Sequence, residues 1–226
     1  MTTTEKTPLK VDVWSDVACP WCYIGKRRFE SALQRMAERD GAAPEVEVEY
    51  HSFELSPDTP VDFEGTATEF LADHKGIPLE TAQQMQDQVT ALAAAEGLTY
   101  RMDRVRHTKT LKAHELLHLA KAFGKQDEMK ERLLKAYFTE GEHVGHVEDL
   151  ADLAAEVGLE REAVVVALNA GTYAEAVADD IARARAYGIN GVPFFVLGGR
   201  YGVSGAQDPD VFVQVLDQVL AEGDAA

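Results

Sequence analysis

The segment WSDVACPWC, residues 14–22, brings the chain's two cysteines together at a change of local pattern. The residues before it alternate apolar and polar side chains, which predicts a strand over residues 9–15. The residues after it carry apolar side chains at helical spacing as far as Gly41, a residue type that ends many helices. The cysteine pair therefore lies where a first strand passes into a first helix, predicted over residues 20–39.

The position of Cys19 and Cys22 favours thiol–disulfide exchange. Pro20 suits the first position of a helix, because the hydrogen that it lacks would have no partner there. Cys19 then lies beside unpaired backbone N–H groups and the positive end of the helix dipole, which favour a thiolate. Cys22, one turn further along, is positioned to attack a mixed disulfide formed on Cys19. Nearby charges act in both directions, with three cations that favour the thiolate and one carboxylate that opposes it: Lys26, Arg27, Arg28 and Asp16.

A structural role for the cysteines is a weaker interpretation. A disulfide between them would close a very short loop and remove little entropy from the unfolded chain. A structural zinc site needs four ligands, and the sequence has no second cysteine pair. We therefore predict a redox-active dithiol.

The rest of the chain extends this pattern. Residues 46–50 alternate and predict a second strand, whereas residues 63–187 show helical stripes and almost no strand-like alternation. Strand patterns return as a hairpin over residues 194–203, and a final helix follows Asp208.

The order β-α-β, then helices, then β-β-α predicts an α/β thioredoxin-like fold with a large all-helical domain inserted in its middle. We assign the discontinuous thioredoxin-like domain to residues 1–62 and 188–226. The inserted helical domain takes residues 63–187.

A proline at the start of the third predicted strand supports the redox interpretation. Proline cannot donate to a strand ladder, so Pro193 marks a strand entry. In a fold of this order, we expect the Val192–Pro193 bond to be cis and Pro193 to pack against Cys19, with the Val192 backbone free to pair with a substrate. We assign substrate binding to Trp21, Val192 and Pro193, and no residue to a metal.

Composition limits the classes of partner. The chain has 226 residues, enough for a large core, and a formal net charge of −17. Such a surface repels phosphate backbones and anionic lipid heads, so we predict neither nucleic-acid nor membrane binding. The first residues show no apolar segment of a secretory signal, which predicts a cytoplasmic protein.

These motifs together resemble the DsbA-like thioredoxin superfamily and, within it, the FrnE-type branch of cytoplasmic oxidoreductases. The segments that carry the resemblance span nearly the whole chain: WSDVACPWC with Gly25, Ala113-His114, AYFTEG at residues 136–141, GINGVPFF at residues 188–195 and SGAQ at residues 204–207.

The resemblance implies disulfide exchange, with Cys19 attacking, Cys22 resolving and Pro193 as the cis residue, beneath a lid formed by the helical insert. It implies protein or small-molecule thiols and disulfides as partners, glutathione as a redox partner and no cofactor beyond the thiols. Periplasmic relatives similar to DsbA carry histidine where this chain has Trp21, so we predict a less acidic Cys19 and a less oxidising disulfide. Lys109 stands where the branch often has asparagine. The resemblance therefore does not predict which residues of the helix that carries Ala113-His114 contact a substrate in the groove.

Three other functions stay open. A glutathione-dependent isomerase or transferase, similar to 2-hydroxychromene-2-carboxylate isomerase, would share the fold, but such proteins generally have serine at the position of Cys19. A binding module without catalysis would use the groove between the domains. The sequence HELLH at residues 114–118 matches the HExxH pattern of zinc hydrolases.

The histidines and carboxylates of this third alternative lack a supporting context. The apolar stripe of the predicted helix is centred on Ala113 and Leu117, so we expect His114 and His118 to form a surface pair. We also expect the loop histidines His143 and His146 to be solvated. The second strand and the residues after it carry three glutamates that we expect to form an exposed face: Glu47, Glu49 and Glu54.

Overall fold

The computed structural model describes residues 8–223, and these contain a four-stranded mixed sheet. The strands are β1 (Leu9–Ser15), β2 (Val46–Ser52), β3 (Phe194–Leu197) and β4 (Tyr201–Ser204), in the spatial order β2-β1-β3-β4. β1 is parallel to β2 and antiparallel to β3, and β3 is antiparallel to β4. β1 therefore lies inside the sheet, and its carboxyl end delivers the cysteine segment.

Helices α1 (Pro20–Asp40) and α9 (Pro209–Gly223) cover one face of the sheet. Val11 and Val13 of β1 are buried on this face, as their alternation predicts. Phe29 of α1 stacks on Phe195 of β3 with ring centroids 5.6 Å apart and meets Phe212 of α9 edge-on at 5.5 Å.

The opposite face packs against α8 (Ala174–Ala186). Trp14 of β1 is buried there with Ala184 and Ile189. Its ring stacks on His51 of β2 at 4.5 Å, and its indole N–H donates to the carbonyl of Asp180 at 3.0 Å. This packing holds the helical segment against the strand that precedes the cysteines.

The residues between β2 and β3 are helical. The helices are α2 (Ala67–Lys75), α3 (Leu79–Ala95), α4 (Leu111–Ala122), α5 (Gln126–Lys135), a π-helical turn (Ala136–Glu140), α6 (Val147–Glu156), α7 (Arg161–Ala170) and α8. Their apolar faces form a core that also takes in Tyr23 and Ile24 from the first turns of α1. The start of α1 is therefore held by both the sheet and the helices.

The architecture confirms the predicted fold class. β1 spans the predicted residues, α1 ends one residue later than predicted with Gly41 in the left-handed conformation at φ 85°, and the hairpin and last helix are present. The domain boundaries stay a prediction. No helix of the described residues is long and apolar enough to cross a membrane.

Candidate active site

The two cysteines lie where β1 passes into α1. Cys19 is the N-cap residue of the helix, with extended backbone at φ −92° and ψ 113°, and Pro20 occupies the first turn. The backbone N–H of Cys22 donates to the carbonyl of Cys19 at 3.0 Å. Both thiols are free, and each residue is only 3% exposed. The sequence predicts this position for the two cysteines. Both side chains are more buried than the exposed attacking thiol that the sequence analysis assumes.

The loop before β3 lies against the cysteines. The Val192–Pro193 bond is cis, as predicted, and the thiol of Cys19 donates to the carbonyl of Val192 at 3.4 Å. Gly25 of α1 faces Pro193, and a Cβ at Gly25 would lie 2.8 Å from Pro193 Cγ. Only glycine lets the helix and the proline approach so closely, which explains the glycine three residues after Cys22.

A cavity of about 400 Å³ opens beside Cys19. Cys19, Pro20 and Trp21 line it, whereas Cys22 does not. The other walls of the cavity are formed by segments that follow β2 in the chain, mainly α2, α3 and the loop before α4. Many of their side chains are apolar or aromatic: Leu55, Phe70, Leu71, Met85, Val89, Met102, Val105, Tyr137 and Phe138.

The rim of this cavity exposes large apolar side chains. Trp21 is 40% exposed, Leu55 41% and Met85 40%, and all three line the opening. Exposed apolar groups of this size commonly mark a surface that binds something. Trp21 and Val192, both assigned to substrate binding from the sequence, line this cavity, whereas Pro193 packs against Gly25 of α1 and does not line it.

Asp16 is a buried carboxylate at the base of the site. Its oxygens accept from the backbone N–H of Leu55 at 2.8 Å and of Ala18 at 3.3 Å, and from Nε2 of His114 at 3.3 Å. Burial raises the pKa of Asp16, but these hydrogen bonds outweigh it and hold that pKa below its usual value. The negative charge of Asp16 in turn helps to raise the pKa of Cys19.

The surroundings of the two thiols shift their pKa values in opposite directions. The hydrogen bond with Cys22 and then burial raise the pKa of Cys19 well above its usual value. Burial also raises the pKa of Cys22, but the hydrogen bond from Cys19 and the positive charge of Lys130 lower it further than burial raises it. The Cys19 thiol is enclosed and donates to the carbonyl of Val192, and a thiolate on Cys19 stays a prediction.

The three cations near the cysteines in sequence are engaged elsewhere. Lys26 pairs with Asp127 at 3.1 Å and with Glu30, Arg27 pairs with Glu131, and Arg28 pairs with Glu96 at 2.6 Å. The cation that acts on Cys22 is instead Lys130 of α5. Sequence reasoning missed it, although a lysine on the apolar stripe formed by Met129, Leu133 and Leu134 is a signal that could have found it.

The predicted surface histidine pair on α4 is wrong. His114 is fully buried against Asp16, and Glu115 beside it is 1% exposed. His118 is half-buried and bonds Asp180 Oδ2 at 3.1 Å. The reason is that α4 is packed on several sides, so the face opposite its apolar stripe is also covered. The two imidazoles bind different carboxylates and do not converge on a metal site.

Within the described residues, two other clusters contain side chains of the kinds that bind metal ions. One cluster is Asp62, His143 and His146, and the other is Asp12, Glu49 and His51. His143 is buried, contrary to the prediction of a solvated loop, because its Nδ1 accepts from the backbone N–H of Gly145 and its Nε2 donates to the carbonyl of Val61. His51 bonds Asp12 at 2.7 Å and Asp180 at 2.8 Å. Both ring nitrogens of His143 and both of His51 are therefore already engaged by protein groups.

Two of the three glutamates of the second strand region differ from their predicted exposure. Glu47 is exposed, as predicted. Glu49 and Glu54 are half-buried, since Glu49 pairs with Lys10 and Lys121, and one carboxylate oxygen of Glu54 is covered.

A free dithiol at the start of a helix, beside a cis proline on a thioredoxin-like sheet, defines the thioredoxin-fold class of dithiol proteins. The DSBA-like thioredoxin domain matches residues 10–217, and the chain belongs to that family.

Several known proteins are similar to this chain. A probable DsbA oxidoreductase from Streptomyces coelicolor has a similar structure, with a TM-score of 0.86 and 42% identity over 95% of this chain and 91% of that one. The uncharacterised protein YwbO of Bacillus subtilis is 30% identical over 91% of this chain and 94% of its own length. The cytosolic disulfide reductase DsbM of Pseudomonas aeruginosa shares the fold, with a TM-score of 0.63, 20% identity and coverage of 94% and 99%.

Proposed function

We propose that this protein is a cytoplasmic thiol–disulfide oxidoreductase that acts through Cys19 and Cys22. The observation that carries the proposal is that Cys19 lines the cavity beside the helix start whereas Cys22 does not. A substrate disulfide therefore reaches Cys19 first, and Cys22 remains behind it to complete the reaction.

The arrangement supports a balanced two-electron exchange. Cys19 loses its proton to water, and its thiolate attacks one substrate sulfur and breaks the substrate disulfide; the other substrate sulfur leaves as a thiolate and takes up a proton to become a thiol. Cys22 then loses its own proton and attacks the sulfur of Cys19 in the mixed disulfide, and the second substrate sulfur leaves with uptake of a proton as the second thiol. The substrate gains two electrons, and the protein is left with a Cys19–Cys22 disulfide.

Trp21, Val192 and Pro193 are proposed to hold the substrate. The exposed indole of Trp21 offers an apolar surface at the cavity rim. In the reduced protein, the carbonyl of Val192 accepts from Cys19, and a substrate sulfur that draws Cys19 away would free it. Glutathione is the proposed redox partner that returns the disulfide to the dithiol, and DsbM has been solved with this thiol.

The test compares the wild-type protein with Cys19→Ser and Cys22→Ser in insulin disulfide reduction and in refolding of scrambled ribonuclease. We expect both substitutions to abolish activity. Only Cys22→Ser should accumulate a mixed disulfide with the substrate, seen by mass spectrometry without reductant. Wild-type inactivity in both assays, or a mixed disulfide on Cys22 of the Cys19→Ser variant, would contradict the proposal.

A glutathione-dependent isomerase is the second candidate, because the cavity is large enough to enclose a small molecule. A 2-hydroxychromene-2-carboxylate isomerase shares the fold, with a TM-score of 0.68 and 15% identity. Retention of Cys22 argues against this candidate, since isomerisation needs no resolving thiol. Turnover of 2-hydroxychromene-2-carboxylate with glutathione that survives in Cys22→Ser would favour it.

A further inference from the structure

Gln86 of α3 is a buried amide with a free donor group at the cavity beside Cys19. The residue is 6% exposed and lines the cavity. Its Oε1 accepts from the hydroxyl of Thr68 at 2.6 Å, whereas its Nε2 has no acceptor among residues 8–223. A buried amide N–H group without an acceptor costs free energy, so an acceptor that a ligand supplies would bind there favourably.

A cation lines the same cavity. Lys75, the last residue of α2, is exposed and forms no ion pair with a carboxylate of residues 8–223. α2 packs on α3, and the hydroxyl of Thr68 joins α2 to Gln86. The ammonium and the free amide donor therefore belong to one wall of the cavity, which α2 and α3 form together.

The α2–α3 wall also carries apolar side chains. Leu71 lines the cavity one helical turn before Lys75, and Val89 lines it one turn after Gln86. Phe70 adds an aromatic ring to the lining. A molecule that covers this wall therefore needs an apolar or aromatic body that also carries a hydrogen-bond acceptor.

The charges around the cavity favour an anionic acceptor. Among the described residues that line it, Asp16 alone is acidic, and its oxygens already accept from His114 and from backbone N–H groups. Arg104 and Arg106 are exposed on either side of Val105, which lines the cavity. In a chain with a net charge of −17, these cations make the cavity a region that attracts anions.

We propose that the α2–α3 wall is a carboxylate-binding subsite and that the substrate of the exchange is a small organic disulfide with an aromatic or apolar body. The inference rests on the proposed exchange function of the cysteines. One ammonium and one amide donor match the single charge and the two oxygens of a carboxylate, and a cavity of about 400 Å³ suits a small molecule.

Gln86 and Lys75 are the specificity-determining residues of this subsite. They hold the carboxylate while the substrate disulfide reaches Cys19. The exchange then passes two electrons to the substrate, releases two small thiols and leaves the Cys19–Cys22 disulfide.

The test mixes the reduced protein with an excess of an aromatic disulfide and follows the release of its coloured thiol. Dithiobis(nitrobenzoate) carries a carboxylate on each ring, whereas dithiodipyridine is uncharged. The quantity compared is the ratio of their rate constants. We expect Gln86→Met, which keeps the side-chain length and removes the donor, to lower this ratio about tenfold. Lys75→Met should lower it about two- to fivefold, because the ammonium is exposed.

Two variants serve as matched controls. Gln84→Met changes an exposed glutamine of α3 that does not line the cavity, and Lys125→Met removes a cation that lies outside the lining. Both should keep the wild-type ratio within about twofold. Gln86→Leu replaces Gln86→Met if that variant does not fold.

Competition with small aromatic molecules tests the carboxylate directly. Nitrobenzoate should slow the exchange with dithiobis(nitrobenzoate) more than nitrobenzamide does, and this difference should shrink in Gln86→Met. An unchanged ratio of rate constants in both Gln86→Met and Lys75→Met would overturn the inference. An equal fall of insulin reduction in Gln86→Met would also overturn it, because the subsite would then take an acidic side chain of a protein.

Failure of the proposed function gives a different result. In that case the wild-type protein catalyses no reduction of any disulfide by glutathione. Binding of nitrobenzoate, followed by quenching of tryptophan fluorescence, would still weaken in Gln86→Met and Lys75→Met. The carboxylate subsite would then stand, and its assignment to a disulfide substrate would fall.

Discussion

His107 contributes a buried aromatic ring to the wall of the cavity beside Cys19. The imidazole bonds the hydroxyl of Tyr137 through Nδ1 at 2.9 Å and stacks on Phe70 with ring centroids 3.5 Å apart. Burial lowers the pKa of His107 to about 4, so the ring is neutral at physiological pH. The neutral ring of His107 therefore adds to the aromatic part of a lining that also contains the charged side chains of Asp16 and Lys75.

The low pKa of His107 makes stability depend on pH. Between pH 6.5 and 4 the unfolded chain binds a proton at this residue and the folded protein does not, so the free energy of unfolding falls as pH falls. We expect this loss to be about 2–3 kcal/mol. The measurement is urea unfolding at about pH 7 and about pH 4.5. Between these two pH values, the free energy of unfolding should fall less in His107→Gln than in wild type. The same slope in both proteins would show that His107 is already exposed to solvent.

The first turns of α1 connect the sheet, the helices and the proline loop. Tyr23 and Ile24 belong to the helical core, while Gly25 faces Pro193. The element therefore cannot shift without moving Cys19 relative to the cavity. This shared packing, more than the hydrogen bonds of the helix itself, holds the geometry of the dithiol.

Gly25→Ala tests that packing. The added Cβ would lie 2.8 Å from Pro193 Cγ, so helix and loop must separate. We expect a loss of about 1–3 kcal/mol in the free energy of unfolding and slower disulfide exchange with insulin.

The control for this variant is Gly41→Ala at the other end of α1. Gly41 has φ 85°, and a Cβ added there would meet no atom within 4 Å, so alanine costs about 1 kcal/mol of stability through the backbone alone. Exchange should stay at the wild-type rate. Equal loss of exchange in both variants would mean that lower stability, not the position of Pro193, is the cause.

At the scale of the whole molecule, Asp180 joins the helices to the sheet. Its carboxylate accepts from His51 at 2.8 Å and from the backbone N–H of Ser52 at 2.9 Å, both on β2. It also bonds His118 of α4 at 3.1 Å. One buried side chain of α8 thus ties a strand and a second helix together on the face of the sheet opposite α1 and α9.

Asp180→Asn should destabilise the molecule by about 3 kcal/mol or more, because two imidazoles lose their carboxylate. Burial raises the pKa of Asp180, but the hydrogen bonds from His118 and His51 outweigh it and hold that pKa below its usual value of 3.8. Its contribution is therefore present above that value and is lost as pH falls toward the lowered pKa.

The measurement is denaturant unfolding at neutral pH and at about pH 3, where the difference between Asp180→Asn and wild type should shrink. The neighbouring Asp179 is exposed, so Asp179→Asn is the control. Its unfolding midpoint should equal that of wild type at both pH values. An unchanged midpoint for Asp180→Asn at neutral pH would contradict the role of Asp180.

The sequence by itself determined the elements and the place of the dithiol. Alternation over residues 9–15, helical spacing after Pro20 and the turn at Gly198 reflect local backbone preference and burial, which adjacent residues encode. Tertiary structure alone decided which distant groups surround the sulfurs, since Lys130 and the carbonyl of Val192 come from elements far from Cys19 in the sequence. It also buried His114 against Asp16, 98 positions away. The charges around a side chain depend on such contacts between distant residues, and the periodicity of a local sequence does not predict those contacts.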